Sequence, residues 1–311
     1  MALLGVLGSW HGSQRSLRAQ APPHDALRIE AAARALQPGE LVVLTIAAAT
    51  TTTGTPVVHA LGRRVPIVPD GDRRWRALVG IDLTVKPGAY SASATIRDGD
   101  TTLTARHSLP IAAKTFETRT LRVNPAFVEP PASEHARIQR EAAKLRQLWT
   151  MSASSAQWSG AFLRPVPDPA NSRFGSRSIF NGRLRSPHTG ADFSSAAGTP
   201  VKAPNAGLVV LAESLYFSGN TVVIDHGLGL FSLFAHLSAL DVREGVPVEA
   251  GATVGRVGAT GRVTGPHLHW AMRVGSARID PLSLLAVLGG PSDSSGPEPD
   301  ATPIGSGRAR P

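Results

Sequence analysis

The chain has 311 residues, 42% of them hydrophobic, with 31 glycines, 25 prolines and no cysteine. That length allows two domains that each bury a core, the turn-former content favours short strands over a helical bundle, and the missing thiols exclude disulfides and thiolate-ligated metals while permitting export. A formal net charge of +9 suits an anionic partner or plain solubility, but 5% aromatics and the lack of a Lys/Arg-rich run argue against nucleic acid, and no stretch is long and apolar enough for a membrane-spanning helix.

Residues 1–30 read as a signal-type or disordered segment. The first ten residues are apolar but short, and Ala19-Gln20-Ala21 resembles a cleavage signal set at an odd distance. From Pro38-Gly39-Glu40 onward, β-forming runs alternate with turn signals. The runs are 41–46, 57–61, 65–68, 75–85, 90–97, 103–111 and 118–123, with Pro69-Asp70-Gly71-Asp72, Lys86-Pro87-Gly88 and Asp98-Gly99-Asp100 among the turns between them. Seven short strands at this spacing predict a β-sandwich over residues 31–128. Its two histidines, His59 and His107, are isolated and read as surface residues.

After Pro130-Pro131 the pattern changes. Ser133 as N-cap, Glu134 in the first turn, and Ile138, Ala142, Leu145, Leu148 and Trp149 at helical spacing predict a connecting helix, followed by an extended arm; together these fill residues 129–160. Over 161–290 the runs 198–203, 207–212, 220–225, 229–237, 253–257 and 267–274 alternate with glycine turns, predicting a mostly antiparallel sheet whose loops bound a groove, closed by helical turns at 281–287. Residues 291–311 are of low complexity and read as a disordered tail.

Three motifs in this last region carry chemistry. In Gly265-Pro266-His267-Leu268-His269-Trp270, strand alternation puts His267 and His269 on one face and Leu268, Trp270 and Met272 on the other. Upstream, His188-Thr189-Gly190-Ala191-Asp192 is an HxxxD whose Gly interrupts any helix, and Phe234-Ala235-His236-Leu237-Ser238 adds a further imidazole. Imidazole and carboxylate are zinc ligands, and a hydrolytic site holds three with a fourth position left for water. The set offers enough donors for such a triad with an imidazole spare for proton transfer, although spacing does not decide which of His267 and His269 binds the metal.

The order HxxxD, AHLS, GPHLHW resembles the M23 (LytM/lysostaphin-type) zinc metallopeptidases, which cut peptide bonds in bacterial peptidoglycan. The resemblance extends to Phe174-Gly175-Ser176-Arg177, Gly198-Thr199-Pro200-Val201, Gly219-Asn220-Thr221-Val222, Thr260-Gly261 and Asp280-Pro281, and it covers residues 160–290. It implies a mostly β protein with an immunoglobulin-like N-terminal module, a periplasmic or extracellular location, one Zn2+ per chain and a peptidoglycan peptide as substrate. It also implies His188, Asp192 and His269 as ligands and His236 and His267 as catalytic imidazoles, with His267 the base and His236 the oxyanion stabiliser or the two exchanged. Asn181, Arg185, Tyr216 and Asn220 are candidates for substrate contact. Two other functions fit the resemblance: a non-catalytic LytM-like activator of a cell-wall amidase, and a secreted bacteriolysin cutting glycine-rich peptides. The presence of every ligand position disfavours the activator.

Overall fold

A computed structural model describes residues 26–121, 129–172, 174–184 and 187–290. Apolar alternation at the N-terminal end resolves into β1 (Leu27–Ala32), β2 (Leu41–Ala48), β3 (Val57–Ala60), β4 (Arg63–Val65), β5 (Ile67–Pro69), β6 (Arg74–Gly80), β7 (Gly88–Asp98) and β8 (Thr101–Ile111). They form two sheets, ordered β1-β2-β6-β5 and β4-β3-β7-β8. Val42, Leu44 and Ile46 from the first sheet pack with Val58, Ala92, Ala94 and Ile96 from the second, as the period of two along β2 and β7 requires.

Three features of this sandwich differ from expectation. The predicted strand 65–68 is two strands in different sheets, β4 on β3 and β5 on β6. Pro66 lies between them and has no N–H to continue a ladder, so the chain changes sheets there. The sandwich also begins earlier, because β1 starts inside the segment expected to be unstructured and pairs with β2 from Leu27↔Ala48 to Ala32↔Val43. Lastly, the predicted seventh strand leaves the sandwich: β9 (Thr118–Leu121) runs parallel to a strand at Arg177–Phe180.

Helix α1 (Ala132–Leu148) forms as the apolar spacing predicts, with a different start. Pro131 is the N-cap at φ −54° with no side-chain cap, so Ser133 stands inside the helix. Proline's fixed φ pre-organises that start.

The second half contains β10 (Ala170–Ser172), β11 (Arg177–Phe180), β12 (Arg183–Leu184), β13 (Gly190–Phe193), β14 (Pro200–Lys202), β15 (Gly207–Leu215), β16 (Gly219–Gly227), β17 (Leu230–Leu237), β18 (Ala239–Leu240), β19 (Pro247–Val248), β20 (Thr253–Arg256), β21 (Leu268–Val274) and β22 (Ala277–Ile279). Its main sheet is ordered β10-β13-β21-β17-β16-β15-β19 with β22 on β21, and a small sheet β14-β20-β18 lies beside it. One face of the main sheet buries Phe193, Val222, Ile224, Phe234, Leu268, Trp270 and Met272. Leu284 and Leu285 of α2 (Pro281–Leu288) join that core, as do Leu41, Val43 and Leu78. Strand β2 therefore lies between two cores, which is why residues 41–44 are buried without alternation. On the opposite face, Leu145, Leu148 and Trp149 cover Leu211, Leu215, Val223 and Phe231, leaving the part over β13, β21 and β17 open as a groove.

Polar contacts fasten the two halves. Glu40, fully buried, accepts from Arg34 (3.0 and 2.8 Å) and Lys114 (3.2 Å), and Arg34 also donates to Asp280 (2.7 Å). Asp280 in turn caps α2 through Leu282 N (3.0 Å). Arg278 clasps Asp82 with bonds of 2.9 and 2.7 Å.

Candidate metal centre and groove

The strand register builds the site. Asp192 on β13 lies directly opposite His269 on β21, which lies opposite Ala235 on β17. Leu268, Trp270 and Met272 are anchored in the core, so His269 is turned to the groove, and His267 at the head of the strand follows. His188 comes from the loop before β13; its N–H donates to the Ser176 carbonyl, and its own carbonyl accepts from Gly175 N–H.

His236 reaches the groove differently. Simple alternation along β17 would send it to the core beside Phe234, but its φ of +66° turns the chain. Leu237 then enters the core and His236 lines the groove beside His267, with ring centroids 5.0 Å apart. A left-handed non-glycine residue is strained, and such strain persists where the surroundings over-determine it. Here His236 N–H donates to the Ser218 carbonyl and Nδ1–H to the Thr260 carbonyl (2.9 Å).

Three ligand-type atoms converge. His188 Nε2 is 3.0 Å from Asp192 Oδ1 and 3.0 Å from His269 Nδ1, and His269 Nδ1 is 2.9 Å from Asp192 Oδ1. Tetrahedral zinc with bonds of about 2.0–2.1 Å sets its ligands roughly 3.3 Å apart, so this donor set fits one ion with a slight outward shift. Among the described residues, this is the group of histidines and carboxylates close enough to hold a metal.

Burial by itself would raise the Asp192 carboxyl, but hydrogen bonds from His188 and His269 outweigh it and hold the group well below the usual carboxylate range. Burial pushes His269 down and His236 down to about 3, each reinforced by neighbouring imidazoles, so these rings are neutral and keep a lone pair. His267 Nδ1–H donates to the Gly265 carbonyl (2.9 Å), and its Nε2 stands 3.9 Å from Asp192 Oδ1. A carbonyl only accepts. In the neutral rings both His236 and His267 therefore carry hydrogen on Nδ1 and present a bare Nε2.

The groove has a volume of about 1000 Å³ and is bounded by α1, the Phe217-Ser218 turn and residues 262–267. Of the expected substrate contacts, Asn181, Tyr216 and Asn220 are not among its lining. Asn220 has its N–H held by Thr260 Oγ1 (2.9 Å) in the hairpin, and Asn181 is exposed at a turn with φ +49°. Tyr216 packs edge-on against Phe217, which with Ser218 faces the groove in its place. Arg185 lies outside the described residues. Sequence reasoning missed Thr260 as the holder of His236 and Trp149 as a groove wall; the glycine-flanked Thr260 carried a trace of signal, whereas Trp149 read as connector packing.

Residues 186–281 match the profile of peptidase family M23. The DD-carboxypeptidase/endopeptidase Mpg of Neisseria meningitidis serogroup B is 42% identical over 97 residues, 31% of this chain and 22% of its own. Peptidoglycan DD-endopeptidase ShyA of Vibrio cholerae is 44% identical over 88 residues, 28% of this chain and 20% of its own. The matched part thus spans about a fifth of the length of these curated relatives. A solved structure from Pseudomonas aeruginosa, assigned to peptidase M23, is 34% identical with a TM-score of 0.62 and covers 80% of this chain and 94% of its own.

Proposed function

Because the chain belongs to peptidase family M23, we propose that it is a zinc-dependent endopeptidase that hydrolyses peptide crosslinks of bacterial peptidoglycan. The observation that carries this is the convergence of His188 Nε2, Asp192 Oδ1 and His269 Nδ1 beside two imidazoles whose Nδ1 atoms are each held by a backbone carbonyl, all in one groove. A zinc ion held by those three side chains would polarise the scissile carbonyl and lower the pKa of the attacking water from 15.7 towards about 7.

The remaining steps belong to the chain. His267 Nε2, close to the ligand cluster and tied at Nδ1 to Gly265, takes the water's proton and returns it to the leaving amine. The Thr260 contact weighs against His236 as the oxyanion donor, since a neutral ring bonded at Nδ1–H has no hydrogen on Nε2. His236 instead accepts from the attacking water and aims it, a task that needs a neutral ring. Phe217 and Ser218 line the wall against which the substrate peptide lies.

A peptidoglycan substrate implies action in the cell envelope, and the net charge of +9 suits an anionic wall. No helix among the described residues is long and apolar enough to cross a membrane. The N-terminal sandwich, fastened through Glu40, Asp82 and Asp280, acts as the rigid mount of the catalytic half. Incubation of the purified protein with peptidoglycan sacculi, with released peptides read by mass spectrometry, tests the proposal. Hydrolysis that stops on chelation and returns with zinc supports it; a protein that neither retains zinc nor releases peptides overturns it in favour of a non-catalytic role.

A further inference from the structure

Alternation along β21 carries the groove floor beyond the histidines: His269, Ala271 and Arg273 all face it. Four residues of strand put Arg273 roughly 13 Å from His269. The Arg273 guanidinium stacks on the Trp149 ring, 4.8 Å from its centroid, and donates a 3.3 Å bond to the Ser276 carbonyl. Its neighbour Arg278 is neutralised by Asp82, but no carboxylate of the described residues lies within ion-pair distance of Arg273. Burial and the nearby Arg278 push its pKa down, and Asp82 offsets this only in part. Arg146 lines the same end of the groove from the last turn of α1, three residues before Trp149 and so on the same helix flank. It is exposed and has no ion-pair partner among the described residues.

We propose that this end of the groove is a carboxylate subsite, in which Arg273, seated on Trp149, and Arg146 receive a carboxylate of the bound peptide some three or four residues from the scissile amide. The guanidinium fork matches a carboxylate in two parallel hydrogen bonds, and a half-buried cation without a carboxylate counter-ion gains more from an incoming anion than a solvated one. An extended peptide advances about 3.3–3.6 Å per residue, which sets the distance from the reacting bond. The subsite rests on the hydrolase function proposed above and deepens it.

The test compares three probes on the zinc-loaded full chain: a crosslinked peptidoglycan peptide dimer with free carboxylates, the same dimer amidated at its C-termini, and the dimer amidated at its side-chain carboxylates. With wild type, one amidation should raise KM about tenfold, and which one does so identifies the carboxylate. Arg273→Gln should raise KM about tenfold for the free acid and erase its preference over that amide, with Arg146→Gln giving a smaller loss of the same kind. Equal KM for all three probes in wild type, or preference intact in both variants, overturns the subsite. If Arg273→Gln does not fold, the exposed Arg146→Gln decides alone. Should wild type cut none of the probes, the hydrolase proposal fails. Calorimetric binding of the acid and amide dimers to wild type and Arg146→Gln then still reads the subsite, which equal affinities would overturn.

Discussion

Gly190 and His269 approach so closely across β13 and β21 that a Cβ on Gly190 would stand 2.7 Å from His269 Cε1 and 2.8 Å from its Nε2. The same atom would meet the Trp270 carbonyl, which is backbone and cannot turn aside. The glycine inside HxxxD thus makes room for the ring that completes the ligand set. Gly190→Ala should rotate or displace His269 and lower zinc affinity by roughly 10–100-fold, the usual effect of disturbing a ligand's support. Competition with a chromophoric chelator measures it; an unchanged affinity would show that the ring yields without leaving its place.

The ligands and the proton carriers should separate in metal content. His188→Ala and Asp192→Ala each remove one of three converging donors, so bound zinc and hydrolysis are expected to fall together. His267→Ala leaves the three donors in place, so zinc stays near one per chain while turnover drops about 10²–10⁴-fold, the range for removing a general base. Elemental analysis beside a hydrolysis assay checks both, and a zinc-free His267→Ala protein would reassign that residue as a ligand.

What the sequence made legible was whatever obeyed a period. The pair His267 and His269 could be placed opposite Leu268 and Trp270 because β21 keeps strict alternation, and those apolar residues are indeed fully buried. His236 could not be placed that way, since its exposure depends on one left-handed φ and on the Thr260 carbonyl 24 positions away. The break at Pro66 was not read at all: the expected strand 65–68 runs through it, where the chain changes sheet. The groove wall at Trp149 and Arg273 was hidden for another reason: an aromatic at the end of an amphipathic stripe looks the same whether it fills a core or lines a cleft.

The seam between the halves should prove sensitive at Arg34. Its guanidinium serves Glu40, which is buried with no exposed side-chain surface, and Asp280 at the start of α2. Removing one partner of a fully buried pair costs about 3–5 kcal/mol. Arg34 is 35% exposed and Lys114 still reaches Glu40, so Arg34→Met should cost less, about 2–3 kcal/mol. Burial would raise the Glu40 carboxyl, but Arg34 holds it below its ordinary value, so its stabilisation is present above about pH 4.3 and fades as the pH falls below that. Urea unfolding of both proteins at neutral pH checks the size; equal midpoints would show that the seam does not depend on this arginine.

His226 should govern stability on the acid side of neutrality. The ring is completely buried, donates from Nδ1 to the Ala206 carbonyl (2.8 Å) and has Nε2 2.9 Å from Ser232 Oγ, whose hydroxyl also lies 3.0 Å from Met272 Sδ, so among the described residues the pocket holds no carboxylate in hydrogen-bond contact with a charged ring. Burial pushes its pKa down to about 4, below the unfolded value near 6.5. As the pH falls from about 6.5 towards 4 the unfolded chain takes up a proton that the folded chain refuses, so stability is full above that window and lost within it. A gap of this width corresponds to about 3 kcal/mol. His226→Gln keeps a donor and an acceptor without titrating, so its Tm, though lower at pH 7.5 through imperfect packing, should fall less than that of wild type between pH 7.5 and 4.5. Parallel pH profiles for the two proteins would show that the buried imidazole is not the group being titrated.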